Sequence, residues 1–492
     1  MPAIIVGSRY GIPLMNAKKK KVLFILGGGA AALVLVVVIF ALTFDINSYR
    51  PRIEAAASGA TGLDVRINGK MRLSFFPFGV SAKDIHVTNK GGEIISLENL
   101  KLGAELMPLL KKHLKVTSCE LVKPAVTIVK DADGKYNFES TEKKSTKGQP
   151  GAAFSLNEIK LSKGVIVYLD KKTGEKTEFK DFNLAIKDLS VVDTSGNIIK
   201  NIAFTGNMDC KEVRKKDLKI DNVKSPIKAE KGVIYLTPLT MDIFGSKGEG
   251  DATADKSEVD AVYKINLKVS KLDFAKLQES FGTKKVIGGK GDLYASLTMK
   301  EKGNRNLMSS MDGTFSLRGD NLVIYTMDLD KVLSSYETSQ NFNLVDLGAF
   351  FIAGPLSTVA IKGYRYGDVY HQTRGGRGTI TQFISYWKIK DGVADATDCA
   401  LATHHNRVAL KGKLDLVSER YDNVIVALLD NKGCAKFKQS ISGSFGSPQI
   451  GAVSAVESLA GPIFNLYRKA KRFVQGGKCE VFYNGAVQQP SK

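Results

Sequence analysis

The feature that most constrains this chain is the run Val22–Leu42, VLFILGGGAAALVLVVVIFAL, which directly follows four lysines, Lys18–Lys21. It carries no charge, and a bilayer core takes about 20 apolar residues at 1.5 Å rise each. A run this long and uncharged argues against a buried core helix. Gly27–Gly29 is its only relief from bulk, and glycine is tolerated in membrane helices where neighbouring groups re-satisfy the backbone. The rival is a cleaved signal peptide, whose apolar core usually runs about 7–15 residues and ends at a small-x-small site. This run is longer, and it leaves through Phe40–Phe44 without such a site. The expectation is therefore a single-pass, uncleaved signal anchor over 18–43, with the lysines and N-terminus on the cytoplasmic side. No later segment is long and apolar enough to cross back, so the rest is expected outside the inner membrane, in the periplasm. Residues 1–17 read as an unstructured leader, and Met15, next to the lysines, is an alternative start to Met1.

Beyond the anchor remain roughly 450 residues, more than one compact core usually holds. At 43% hydrophobic and 25% charged the chain has a folded composition. The net charge of +21 raises nucleic acid or an anionic membrane surface as partners. The lysines, however, are spread along the chain, and solvated strand faces account for them better; nucleic acid is not expected.

After the anchor, Asp45 and Asn47 can cap a helix start, and Arg52–Ser58 reads as a short helix ending at Gly59 or Gly62. Then a period of two begins. Val65, Ile67, Met71 and Leu73 fall on one side, with Arg66, Asn68, Lys70 and Arg72 on the other, until Pro77. The pattern returns at Leu100–Leu106, over Val116–Lys130 with an interruption at Pro124, and at Ile159–Leu169 with Phe182–Leu189. It is clearest at Ala261–Leu272, where Tyr263, Ile265, Leu267 and Val269 oppose Lys264, Asn266, Lys268 and Ser270. Val408, Leu410, Leu414 and Leu416 repeat it near the end. Helical patterns are few: one turn at Met107–Leu114, then Asp273–Phe281, Asp328–Tyr336 and Ala452–Phe473. The exported part is expected to be mainly β, with short helices as punctuation. Ser140–Gly151 has almost no apolar residue and reads as a linker.

A strand with one apolar face must bury it. Long helices to cover these faces are missing. One solution is sheet on sheet, as in a sandwich or closed barrel; the other is a curled trough filled by something other than protein, such as acyl chains. Alternation alone fits both, and base rates favour the sandwich.

The order of short motifs, rather than any one of them, resembles the AsmA family of bacterial envelope proteins. These are Phe44-Asp45 after the anchor, TGLDVRINGK at Thr61–Lys70, SFFP at Ser74–Pro77 and ISLENLKL at Ile95–Leu102. MPLL at Met107–Leu110, LVKP at Leu121–Pro124 and DGKYNF at Asp133–Phe138 continue the series. The second half adds GKGDL at Gly289–Leu293, MDGTFSLRG at Met311–Gly319, DGVADATD at Asp391–Asp398, KGKLDL at Lys411–Leu416 and GSFGSPQI at Gly443–Ile450.

The resemblance implies an elongated, curled antiparallel sheet, a repeating β-groove, anchored in the inner membrane. It is similar to chorein-type bridge proteins that pass lipids along a hydrophobic trough. Implied partners are phospholipids and the inner membrane, with outer-membrane or other envelope proteins as candidates. The implied role is phospholipid movement between the two membranes, or support of outer-membrane assembly. The corresponding organisation is an N-terminal unit at 44–140, a linker at 141–153, a β-groove array at 154–430 and a C-terminal segment at 431–492. The chain is short beside the longest members, so a complete bridge is not implied. The groove candidates are the alternating residues Val65, Ile67, Met71, Leu73, Tyr263, Ile265, Leu267, Val269, Val408, Leu410, Leu414 and Leu416. The alternative is an envelope scaffold whose sheets close on themselves and bind protein partners.

The chain offers no positive case for an enzyme, a metal or a cofactor. No G-x-S-x-G, Walker or H-E-x-x-H motif is present. His404-His405, near Cys399, cannot converge on one metal from a strand, where neighbours point to opposite faces, and reads as an exposed turn. Gly375–Gly378 lacks a P-loop lysine and reads as a loop; Asp328 and Asp330 are explained by a helix start as well as by a calcium site. None of the five cysteines forms C-x-x-C. An oxidising exterior permits disulfides, and Cys434 with Cys479 is the preferred pair.

Overall fold

The computed structural model describes residues 45–75, 78–105, 116–139, 154–192, 198–216, 218–279, 287–301, 306–325, 327–339, 344, 347, 351, 376–455 and 480–490. The expected anchor, the turn at 107–114, the linker at 140–151 and all but the first residues of the helix expected over 452–473 lie outside these. No described helix is long and apolar enough to cross a membrane.

The fold is mainly β: one large, curled, unclosed sheet with few short helices. Its strands are β1 (Asp64–Ile67), β2 (Met71–Phe75), β3 (Phe78–Asn89), β4 (Gly92–Ala104), β5 (Val116–Lys130), β6 (Phe154–Asp170), β7 (Glu175–Val191) and β8 (Ile202–Lys215). There follow β9 (Leu218–Glu230), β10 (Val233–Ile243), β11 (Ser246–Asp255), β12 (Val262–Asp273), β13 (Ile287–Gly288), β14 (Lys290–Lys300) and β15 (Asp312–Ile324). The last are β16 (Gly378–Lys390), β17 (Val393–Ala402), β18 (Arg407–Asp415), β19 (Arg420–Leu429), β20 (Ala435–Ser444), β21 (Ser447–Ile450) and β22 (Ser454–Ala455).

From β3 to β12 each strand pairs with the next. β12 then pairs with β14, and the meander continues to β20, which carries β21 and β22. Every named pair is antiparallel except β5–β6, which run parallel. The sheet is therefore continuous across the expected linker. Three local expectations change. The alternating run at 65–74 is two strands, because Asn68 and Gly69 turn and donate to the Asp84 and Lys83 carbonyls; β1 and β2 both pair with β3. β5 passes through Pro124 without ending. Ser454–Ala455 pair with β20 as a short strand rather than opening a helix.

Polar residues in the left-handed region interrupt many strands: Asp84, Lys123, Lys163, Asp181, Asn222, Lys271, Asn321 and Asn423, with φ between 48° and 55°. Lys163, Asn222, Lys271 and Asn423 sit at shifts of strand register, β-bulges that bend the strand. Left-handed residues also reset the pleat. Leu121 and Val126 are five apart, yet they pair with the apolar Leu100 and Ile95; Lys123, φ 48°, lies between them without a shift of register.

The N-terminal edge is covered. Helix α1 (Arg50–Thr61) begins with Pro51 in its first turn and ends at Gly62, φ 72°, whose N–H bonds the Ser58 carbonyl. Glu54 accepts from the Ile67 N–H at 2.6 Å, and Ser58 Oγ from the Val65 N–H at 2.9 Å. Asn47 does the same for Met71, accepting from its N–H and donating to its carbonyl. Backbone groups of an edge that could recruit another strand are thus satisfied.

At the other end the apolar face is packed solid. Helices α2 (Phe274–Glu279) and α3 (Leu329–Ser339), with Leu344, Leu347 and Phe351, bury against β12–β20 in one apolar core. Asp328 Oδ1 caps α3 by accepting from the Lys331 N–H. The opposite face of the last strands carries a second cluster, where Phe482, Tyr483 and Val487 cover Ala400, Ala402, Ala409 and Ala427. Arg407 donates to the Val487 carbonyl, and Lys411 and Lys438 lie 5.2 and 5.5 Å from the Phe482 ring centre.

Candidate functional site: an apolar trough

Residues directly opposite in neighbouring strands share a face. Following the register from strand to strand yields one unbroken lateral row: Leu73, Val80, Leu102, Cys119, Ile159, Ile186, Gly206, Ile227 and Leu236. It continues as Ala252, Ile265, Leu297, Gly313, Ile389, Ala394, Leu414 and Tyr421. No residue in it carries a charge. A second row on the same face runs Val65, Val87, Ile95, Val126, Ile166, Phe179, Val213, Ile220 and Ile243.

Exposure divides the first row. From Leu73 to Gly313 its members, Ile186 excepted, are only partly covered; Ile265 is 39% exposed. Beyond β15 they are sealed, with Ile389 at 6%, Ala394 and Leu414 at 0% and Tyr421 at 5%. An apolar surface left half open is unfavourable in water at about 25 cal/mol per Å². The described chain thus covers this face in one part and leaves it open in another.

The alternating residues singled out from the sequence all lie on this face and sort along the same division. Val65, Leu73, Tyr263 and Leu267 are half-buried, as is expected of a trough wall. Ile67 and Met71 are buried in the cluster beside α1. Val269, Val408, Leu410, Leu414 and Leu416 are packed by protein. Tyr263 is amphipathic: its ring lines the wall while its hydroxyl donates to Glu301 at 2.8 Å. Burial, then the Glu301 carboxylate, pushes its hydroxyl up to about 12, so it stays neutral. Burial also pushes up the Cys119 thiol in the row.

The opposite face is polar. Pairs such as Lys101–Glu120 at 3.0 Å and Lys180–Glu212 at 3.1 Å cross from strand to strand there. Exposed pairs of this kind contribute about 0–1 kcal/mol each; they keep that face wet. A hollow of about 550 Å³ is lined by Lys160, Ser162, Asn183, Asn207 and Lys224 together with Leu161, Leu184 and Met208.

The remaining sequence candidates have structural places. His404 and His405 sit exposed in the turn before β18, their N–H groups donating to Asp330, which also accepts from Thr403 and Asn406. Burial acts to raise the Asp330 carboxyl, but these bonds outweigh it and hold it below the usual range. Among the described residues no cluster of three or more His, Cys, Asp or Glu could hold a metal. Cys434 is disulfide-bonded, while Cys119, Cys210 and Cys399 are free. Cys479 lies outside the described residues, two before Val481, which bridges to Cys434. What the sequence reading missed is the row itself, whose members come from strands far apart in the chain.

A curled, unclosed sheet with one charged face and one apolar, partly open face defines a groove-like β-sheet protein. The AsmA family model matches residues 18–214 and again residues 208–399, and the chain belongs to that family. No curated protein and no solved structure matches it.

Proposed function

We propose that this chain binds phospholipid acyl chains in its trough and moves phospholipid between inner and outer membranes, or supports outer-membrane assembly in that way. The observation that carries the reading is the uncharged row from Leu73 to Gly313, half open along its length. Membership of the AsmA family supports it. In this reading Val22–Leu42 is the inner-membrane anchor, Lys18–Lys21 stay cytoplasmic, and the sheet stands in the periplasm. The chain acts by binding and carrying, not by catalysis. The packed core behind β16–β20 favours a scaffold role, with protein partners, for that part alone.

Photo-crosslinking amino acids at 265 and 267 should capture phospholipid, and those at 264 and 266 should not. Native mass spectrometry of the detergent-free protein should show bound phospholipid. Absence of lipid by both measurements would replace the trough reading with the scaffold. A reporter fused within 140–151 should be active only outside the cytoplasm; cytoplasmic activity would remove the periplasmic placement.

A further inference from the structure

We propose that the trough carries a headgroup site at the C-terminal ends of β5 and β6, where Lys130, Tyr136 and Tyr168, with Lys256 and Tyr263, receive the phosphodiester of a bound phospholipid. The inference rests on the lipid reading above and adds where the polar end of the cargo sits. The parallel pairing brings these two strand ends together. It sets Ile128 opposite Tyr168, two residues beyond Val126 and Ile166 on the apolar face. Lys130 follows Ile128 on that face, again by two residues, and bridges to Tyr136. The apolar wall therefore ends here in tyrosines and a lysine. Tyrosine suits such a boundary, with an apolar ring and a hydroxyl that seeks a polar partner.

Tyr136 is held in place by its neighbour. Asn137 accepts from the Val129 N–H at 3.0 Å and donates to the Thr127 carbonyl at 2.8 Å. Asn89 donates to the Asn137 carbonyl at 2.7 Å. The Tyr136 and Phe138 rings stack at 5.1 Å between centres. The Lys130 ammonium lies 5.9 Å from the centre of the Tyr136 ring, and the Lys256 ammonium 5.9 Å from that of Tyr263. Tyr136 acts electrostatically on the hydroxyls of both Tyr168 and Tyr263, so the two lysine–tyrosine pairs belong to one cluster. Burial is the largest cause raising both hydroxyls, which keeps them protonated and able to donate.

The charge pattern singles out these two lysines. On the strands that follow, Lys176, Lys180, Lys215 and Lys219 each lie within 3.1 Å of a carboxylate oxygen. Among the described residues neither Lys130 nor Lys256 has such a partner. The carboxylates nearby are engaged elsewhere. Glu301 accepts from the Tyr263 hydroxyl at 2.8 Å, Asp255 from the Ser257 N–H at 2.9 Å and Asp170 from the Lys172 N–H at 2.9 Å. Two cations without carboxylates, beside tyrosine hydroxyls at the end of an apolar wall, fit an anionic group joined to acyl chains. A phosphodiester is such a group, and its oxygens accept from lysine and tyrosine alike.

The test uses the full chain in detergent, offered equal amounts of dioleoyl phosphatidylglycerol and dioleoylglycerol. The two share their tails and differ in the phosphodiester headgroup. Native mass spectrometry counts what is retained. The unaltered chain should favour the phospholipid about tenfold, the scale of one charge-assisted hydrogen bond. Lys130→Gln combined with Lys256→Gln should remove the preference and leave dioleoylglycerol retention unchanged. Lys264→Gln, on the opposite face of β12, should keep it. A preference that survives in the double variant would overturn the headgroup site and leave the lipid reading standing. Its loss in Lys264→Gln as well would assign it to net charge and overturn the site too. Inorganic phosphate at millimolar concentration should leave the preference in place; abolition would mark a site for the free anion and overturn the assignment to a headgroup. Retention of neither lipid would overturn the lipid reading itself.

Discussion

Truncating two residues of the same row should cost very different amounts. Leu414 is 0% exposed and belongs to the filled C-terminal core. Leu414→Ala removes a buried side chain and leaves a void beside Ala394 on β17 and Tyr421 on β19; such changes cost about 2–5 kcal/mol. Ile265 lies between Ala252 and Leu297 by register, as Leu414 lies between Ala394 and Tyr421, but it is 39% exposed. Full burial of an aliphatic side chain is worth about 1.5–3 kcal/mol, and Ile265 realises little more than half of that, so Ile265→Ala should cost about 1 kcal/mol, without a cavity contribution. The assay is urea unfolding followed by far-ultraviolet circular dichroism, with Trp387 emission reporting the C-terminal core. A several-fold larger shift in midpoint for Leu414→Ala, at unchanged slope, is expected. Equal shifts would mean that the middle of the row is packed like its end, and the open trough would be refuted.

Gly206 lies in the row where an added Cβ would meet the Ala185 carbonyl oxygen at 2.2 Å; Gly206→Val should destabilise by about 1–3 kcal/mol through forced backbone movement, read by urea midpoint. Asp330 is held below the usual carboxylate range in the folded chain, so its contribution is present above the unfolded value and lost as pH falls through the folded one. Asp330→Asn should therefore flatten the acid limb of a stability–pH profile below about pH 4; an unchanged limb would refute the role. His86 is shifted the other way by Glu93 and Asp84, so its stabilisation is present below its ordinary value and fades as pH rises through the folded one; His86→Gln should abolish that fall above the ordinary histidine value in the same titration. Tyr483 donates to Asp398 and accepts from the Val487 N–H; Tyr483→Phe should make residues 480–490 cleavable by protease while the sheet stays folded, which mass mapping of fragments would show.

Individual strands were legible because one face is apolar and the other charged, as at Tyr263–Ser270. Their assembly was less so. Left-handed backbone at Lys123 lets Leu121 and Val126 share a face although their spacing reads as opposite faces. The parallel β5–β6 pair leaves no mark in either strand. Ile265 and Leu414 look alike in sequence, each an aliphatic residue among lysines. What differs is the cover: Leu414 is sealed within the C-terminal core, and Ile265 is left partly open. Alternation records which side of a strand avoids water, not what stands on that side.

Because the sheet is an unclosed meander, its width is not fixed by closure as a barrel's circumference is. Inserting one hairpin between neighbouring strands adds two ladder spacings, about 10 Å, and need not alter the cross-section elsewhere. Reach then becomes a counting variable: duplication of a short coding segment lengthens the protein by a set increment, and deletion shortens it by the same. A closed barrel must change diameter, tilt and filling together to gain a strand. An architecture of this kind can be tuned to the distance between two surfaces by copy number alone.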